Sequence, residues 1–110
     1  MAQASLPALH MAAWRGRAAL CRSLLAGGRN PDEAAGTDTP LILAARAGSV
    51  ASVRVLLAAG ADPRRVSPGG LTPAEAAREL GHDRAAIVLE AAADAAAPRP
   101  PPHVRRPGGA

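Results

Sequence analysis

Along the middle of the chain, apolar positions fall in short stretches of helical period separated by glycines. In TPLILAARAG, residues 39–48, Leu41, Ala44, Ala45 and Gly48 sit at offsets 0, 3, 4 and 7, one face of a helix. The alanines and the glycine lack the β-branching that a strand favours. Pro40 has no N–H to lose and a φ already near the helical value, so it suits the first helical position, and the Thr39 hydroxyl is placed to cap a backbone N–H. Val50, Val53, Leu56 and Leu57 then repeat the helical spacing and stop at Ala59-Gly60, where glycine can take a left-handed cap. The pattern predicts two short antiparallel helices joined by a turn.

That unit recurs. Leu9, Gly16, Leu24, Leu25 and Gly28 are matched 32 residues on by Leu41, Gly48, Leu56, Leu57 and Gly60. Thr39, Pro40, Ala44, Gly48 and Leu56 return 33 residues on as Thr72, Pro73, Ala77, Gly81 and Leu89. Three copies at nearly one period predict an all-α solenoid of three helix–turn–helix units, each burying its apolar face against its neighbours.

These residues resemble a known family. TPLILAARAG, the LL of VRVLLAAGADP, LHMAAWRG with SLLAGG, and LTPAEAARELGH are similar to the ankyrin repeat, a β-turn followed by two antiparallel helices. The resemblance covers about residues 5–94, in repeats of about 5–36, 37–69 and 70–94. It implies short β-hairpin fingers within 30–38 and 62–71, where Pro68, Gly69 and Gly70 supply turn chemistry. Against the family pattern, Pro7 replaces the usual threonine beside His10, Ile42 and Glu75 replace the histidine itself, and Ser52 takes a normally apolar helix position. The third copy sets Glu75, Arg78 and Glu90 where apolar or histidine side chains would face a further repeat, which predicts a polar terminal cap. It is also similar to the last repeat of the small ankyrin-type inhibitors of cyclin-dependent kinases, although those carry four repeats. After Ala93 the character changes: alanines prolong the last helix to about Ala97, Pro98 stops it, and the Pro/Arg-rich segment, residues 95–110 as a unit, predicts a disordered tail from 98 onwards.

Composition narrows the picture. A chain of 110 residues holds one small domain, and with Trp14 its only aromatic the core must be built from Leu, Val and Ala, hence closely packed helices. The formal net charge is +4, and all 13 basic residues are arginine, a bias that coding preference explains as well as an anionic partner does. The distribution says more than the total: residues 1–30 carry Arg15, Arg17, Arg22 and Arg29 and no acid. One cysteine, Cys21, excludes an internal disulfide, and the first residues lack the basic and apolar regions of a signal peptide. The expectation is a cytoplasmic or nuclear protein, monomeric and without a membrane partner.

No catalytic, metal or cofactor site is expected. His10 and His82 belong to repeat motifs and His103 to the tail, Cys21 stands at a core position, and no Cys or His pair has ligand spacing. Gly69-Gly70 lacks the further glycines and the lysine of a phosphate loop. In the resembled family, the two residues after the Ala-Ala position and the residue before Thr-Pro contact the partner. Carried over, they are Trp14 and Arg15 in the first copy, Asp38, Arg46 and Ala47 in the second, and Leu71, Glu79 and Leu80 in the third. Two readings of Trp14 stand side by side: an interface anchor beside Arg15 and Arg17, or a lid over the open end of the first repeat. The implied function is a non-enzymatic inhibitor, adaptor or scaffold that binds a partner protein. The competing reading is polyanion or nucleic-acid binding through the Arg-rich first repeat and tail. A bare PxxP at Pro98 and Pro101 lacks the flanking arginine that orients SH3 ligands.

Overall fold

The computed structural model describes residues 8–32 and 38–96. The expected tail and the middle of the first finger lie outside the described residues. Six helices follow in order: α1 (Ala8–Trp14), α2 (Ala18–Ala26), α3 (Pro40–Ala47), α4 (Val50–Ala58), α5 (Pro73–Glu79) and α6 (Asp83–Ala96). They pair as α1/α2, α3/α4 and α5/α6, and the pairs stack so that α3 packs between α1 and α5 while α4 packs between α2 and α6. The result is two layers of helices with a continuous core between them.

The helix ends follow their sequence signals. The Thr39 hydroxyl accepts from the Ile42 N–H (3.3 Å), with Pro40 in the first turn. Thr72 does the same for Glu75 (3.2 Å), and the Glu75 carboxylate accepts in return from the Thr72 N–H (2.9 Å), a reciprocal capping box. Ser49 caps α4 through the Ser52 N–H (3.2 Å). At Arg17, the corresponding position, α2 has no side-chain cap. Gly48 ends α3 in the left-handed region at φ 71°, where a side chain is strained, and its bare Cα is covered by the His82 ring. His82 Nε2 lies 3.1 Å from the Arg46 carbonyl, so the histidine after Gly81 joins the third repeat to the end of the second repeat's first helix.

The core is aliphatic, as the composition requires. Leu9, Leu41, Leu56 and Leu89 are fully buried, with Ala13, Ala44, Ala45, Ala77 and Ala86 filling the close contacts between helices. One departure from the family pattern, Ser52, meets the chain's one cysteine inside it. Ser52 on α4 and Cys21 on α2 are both fully buried and interact, and the Ser52 hydroxyl accepts from the Ser49 hydroxyl at 3.1 Å. A serine at this apolar position is thereby satisfied by the cap of its own helix, with the cysteine of the preceding repeat beside it. Burial pushes the thiol pKa up, with the Ser52 contact pulling the other way, so Cys21 stays a neutral core side chain.

The fingers differ from the expectation. Among the described residues there is no strand. In the second finger, the Gly70 N–H donates to the Ser67 carbonyl (2.8 Å) and the Ser67 N–H donates to the Leu71 carbonyl (2.8 Å), which makes a closed turn. The Ser67 hydroxyl accepts from both the Gly69 and the Leu71 N–H groups (3.2 Å each). Ser67 thus supplies locally the bonds that a hairpin ladder would have shared between strands. At the finger bases, Asn30 and Asp62 each accept from the N–H two residues on (2.9 Å each), and Asp32 Oδ1 accepts from the Asp62 N–H (2.8 Å), linking successive repeats.

The two ends of the array are unlike. At the third repeat, Arg78 Nε lies 2.6 Å from Glu90 Oε2, an exposed pair that ties α5 to α6 across the outward face. At the first repeat, Ala8 is exposed, Met11 is half-buried and Leu20 is 43% exposed, around a shallow depression of about 230 Å³. The matching positions in the later copies, Pro40, Leu43 and Ser52, then Pro73, Ala76 and Ala85, are all buried. The polar end was expected from the sequence.

Candidate functional site

Each inner-layer helix ends on a glycine turn, and the residues just before it come to the surface in register because the repeats stack in register. Trp14, Arg46 and Glu79 occupy one position of the repeat in α1, α3 and α5, and Arg15, Ala47 and Leu80 occupy the next. Trp14 is 49% exposed and Leu80 55% exposed; Arg15, Ala47 and Glu79 are exposed as well. Five residues earlier in each helix, Leu9, Leu41 and Ala74 are buried, so the helices that carry the row are anchored in the core.

Asp38 and Leu71, before the two Thr caps, are half-buried. Asp38 is brought to Arg46: Oδ2 lies 3.1 Å from Nε, with side-chain exposures of 16% and 34%. The N–H of Arg46 Nε does not point squarely at the carboxylate, so this is a close charge contact rather than an aligned hydrogen bond. It holds the arginine on the surface beside Ala47 and keeps part of its charge engaged, which at this exposure is worth no more than about 1 kcal/mol. The other candidates, Trp14, Arg15, Leu71, Glu79 and Leu80, have no ion pair or side-chain hydrogen bond among the described residues. The face runs from basic and aromatic at the first repeat to acidic and aliphatic at the third.

Among the described residues, no group of three or more His, Cys, Asp or Glu side chains converges. No described helix is long and apolar enough to cross a membrane. Sequence reasoning did not single out Arg54, which stands 32 residues after Arg22 at the same position of the outer layer. The signal was present in the repeat period itself, as the same residue type at equivalent positions.

Stacked helix pairs with glycine-ended inner helices, started by Thr-Pro in the second and third repeats and linked through finger aspartates, define a helical repeat solenoid with an exposed row of side chains along its inner layer. The chain belongs to the ankyrin repeat family: the family model described as ankyrin repeats (3 copies) matches residues 8–98. It is similar in structure to the human ASB11 ankyrin repeat domain, with a TM-score of 0.75 and 31% identity over 79% of this chain. The chain spans 40% of the length of that domain. No curated protein matches the chain significantly. Ankyrin repeats are in general protein–protein interaction modules.

Proposed function

We propose that the protein is a non-enzymatic binding module, an inhibitor, adaptor or scaffold, that docks one partner protein through Trp14, Arg15, Asp38, Arg46, Ala47, Leu71, Glu79 and Leu80. The observation that carries this reading is the half-exposed Trp14 in register with Arg46 and Glu79 above a buried row. Tryptophan and arginine dominate interface hot spots, and truncating such an anchor costs about 2 kcal/mol or more. The helices are ordered before binding, so little conformational entropy opposes docking. Of the two readings of Trp14, an exposure near one half favours the anchor over the lid.

Affinity capture with the wild type and with a Trp14→Ala, Arg46→Ala double variant tests the assignment. Partners present with the wild type and lost from the variant support it, and an identical set from both rejects the site. The polyanion reading is separated by salt: nucleic-acid binding weakens steeply as salt rises, in proportion to the phosphates neutralised, whereas a Trp-anchored protein contact changes little. The kinase-directed version rests on the third repeat's similarity alone. Direct binding to a purified cyclin-dependent kinase, abolished by Trp14→Ala, would support it.

A further inference from the structure

The outer layer carries a second surface with a chemistry of its own. Between α2 and α4 lies an open groove of about 600 Å³, floored by Leu25, Val55, Ala26 and Ala58 and flanked by Arg22 from one helix and Arg54 from the other. The alanines make the groove: longer side chains at those positions would fill the space between the helices. No carboxylate lines it. Arg46 and Arg78 are each paired with an acid, but neither Arg22 nor Arg54 has an ion-pair partner among the described residues, and both are exposed. An apolar trough with two unpaired guanidiniums on its rims is complementary to a ligand of alternating negative and aliphatic character.

We propose that this groove, on the layer opposite the Trp14 row, binds an acidic peptide segment that seats one aliphatic side chain between two carboxylates. The spacing is set by the fold. Neighbouring packed helices stand about 8–10 Å apart. Three residues of polyproline II chain advance about 9 Å and bring the side chain back to the same face. Carboxylates at i and i+3 therefore reach Arg22 and Arg54 together, while a residue between them projects about 120° from that face and turns its side chain down onto the apolar floor. Nucleic acid is disfavoured because the floor offers no aromatic ring for a base to stack on, and aliphatic contact is what an acidic peptide brings and a phosphate backbone does not. The site is independent of the Trp14 face, so one molecule holds two partners at once.

The test uses the full chain and a fluorescein-labelled peptide Ser-Gly-Glu-Pro-Leu-Glu-Gly-Ser, with binding read by anisotropy. The expected result is saturable binding that weakens by about tenfold in an Arg22→Gln, Arg54→Gln double variant, the scale of two partly exposed charge pairs. Binding should weaken similarly when the peptide glutamates become glutamine, fall when its leucine becomes glycine, and persist in the Trp14→Ala, Arg46→Ala variant. Circular dichroism of the arginine variant, whose changed side chains are exposed, confirms that its fold is kept. The proposal is overturned if the peptide fails to bind, if the arginine variant binds it unchanged, if the Trp14 and Arg46 changes abolish binding, or if an oligothymidylate of equal charge binds as tightly.

Discussion

Single residues in this protein act across repeat boundaries. Gly48 is the clearest case: it needs the left-handed conformation to end α3, and a Cβ there would stand 2.5 Å from His82 Nδ1 in the next repeat. Strain and clash together make Gly48→Ala expensive, and a loss of about 2 kcal/mol or more in urea unfolding is expected. Adding His82→Ala to that variant should recover part of the loss, because it removes the clash but leaves the φ strain and forgoes the bond to the Arg46 carbonyl. Recovery of nothing would mean that the ring is not what Gly48 accommodates. Cys21 and Ser52 show the same coupling in the core, where a serine of one repeat meets a cysteine of the one before it.

Helices here are short, between 7 and 14 residues, so their caps matter more than they would in longer helices, which hold themselves together. Thr39→Ala removes the oxygen that accepts from Ile42 at a buried helix start and should lower stability by about 1 kcal/mol, while Thr39→Ser keeps the oxygen and should lose much less. Chemical denaturation of both variants decides it; equal losses would assign the role of Thr39 to packing of its methyl group instead. Elements of this kind were legible in the sequence because their causes are local. Thr-Pro starts, glycine stops and helical spacing lie within ten residues of one another, and the period then gave the stacking. The fingers were not legible to the same degree. A hairpin and a turn share Pro-Gly-Gly, and the choice fell to the Ser67 hydroxyl, which takes the N–H groups that strands would have paired. The Cys21–Ser52 contact and the Asp38–Arg46 pair were hidden for a different reason: each needs three-dimensional placement that spacing alone does not give. The candidate site residues came wholly from family positions, and the exposure of Trp14, Arg15, Ala47, Glu79 and Leu80 is a property of the stack.

At the scale of the whole molecule, the two ends have different surface energies. The third repeat closes on a charged pair, whereas the first shows water the Ala8, Met11 and Leu20 positions that every later repeat buries. Covering that face with an additional repeat should stabilise the array through nearest-neighbour stacking, the term that dominates solenoid stability. A fusion placing a duplicate of residues 37–69 ahead of residue 5 is expected to raise the thermal midpoint and sharpen the melt. The duplicate's Ile42 and Ala45 positions would meet the exposed patch, and a Leu20→Arg change in the same fusion should cancel the gain. No rise in the fused protein would show that the open face is already content in water. Trp14, as the chain's only aromatic residue, sits near this less protected end and within the proposed binding row. Its fluorescence is therefore a built-in local probe. Docking on the inner layer would shift the emission to the blue without any label, while loss of structure in the third repeat would pass unseen. Melting followed by tryptophan emission and by far-ultraviolet circular dichroism would coincide only if the three repeats come apart as one.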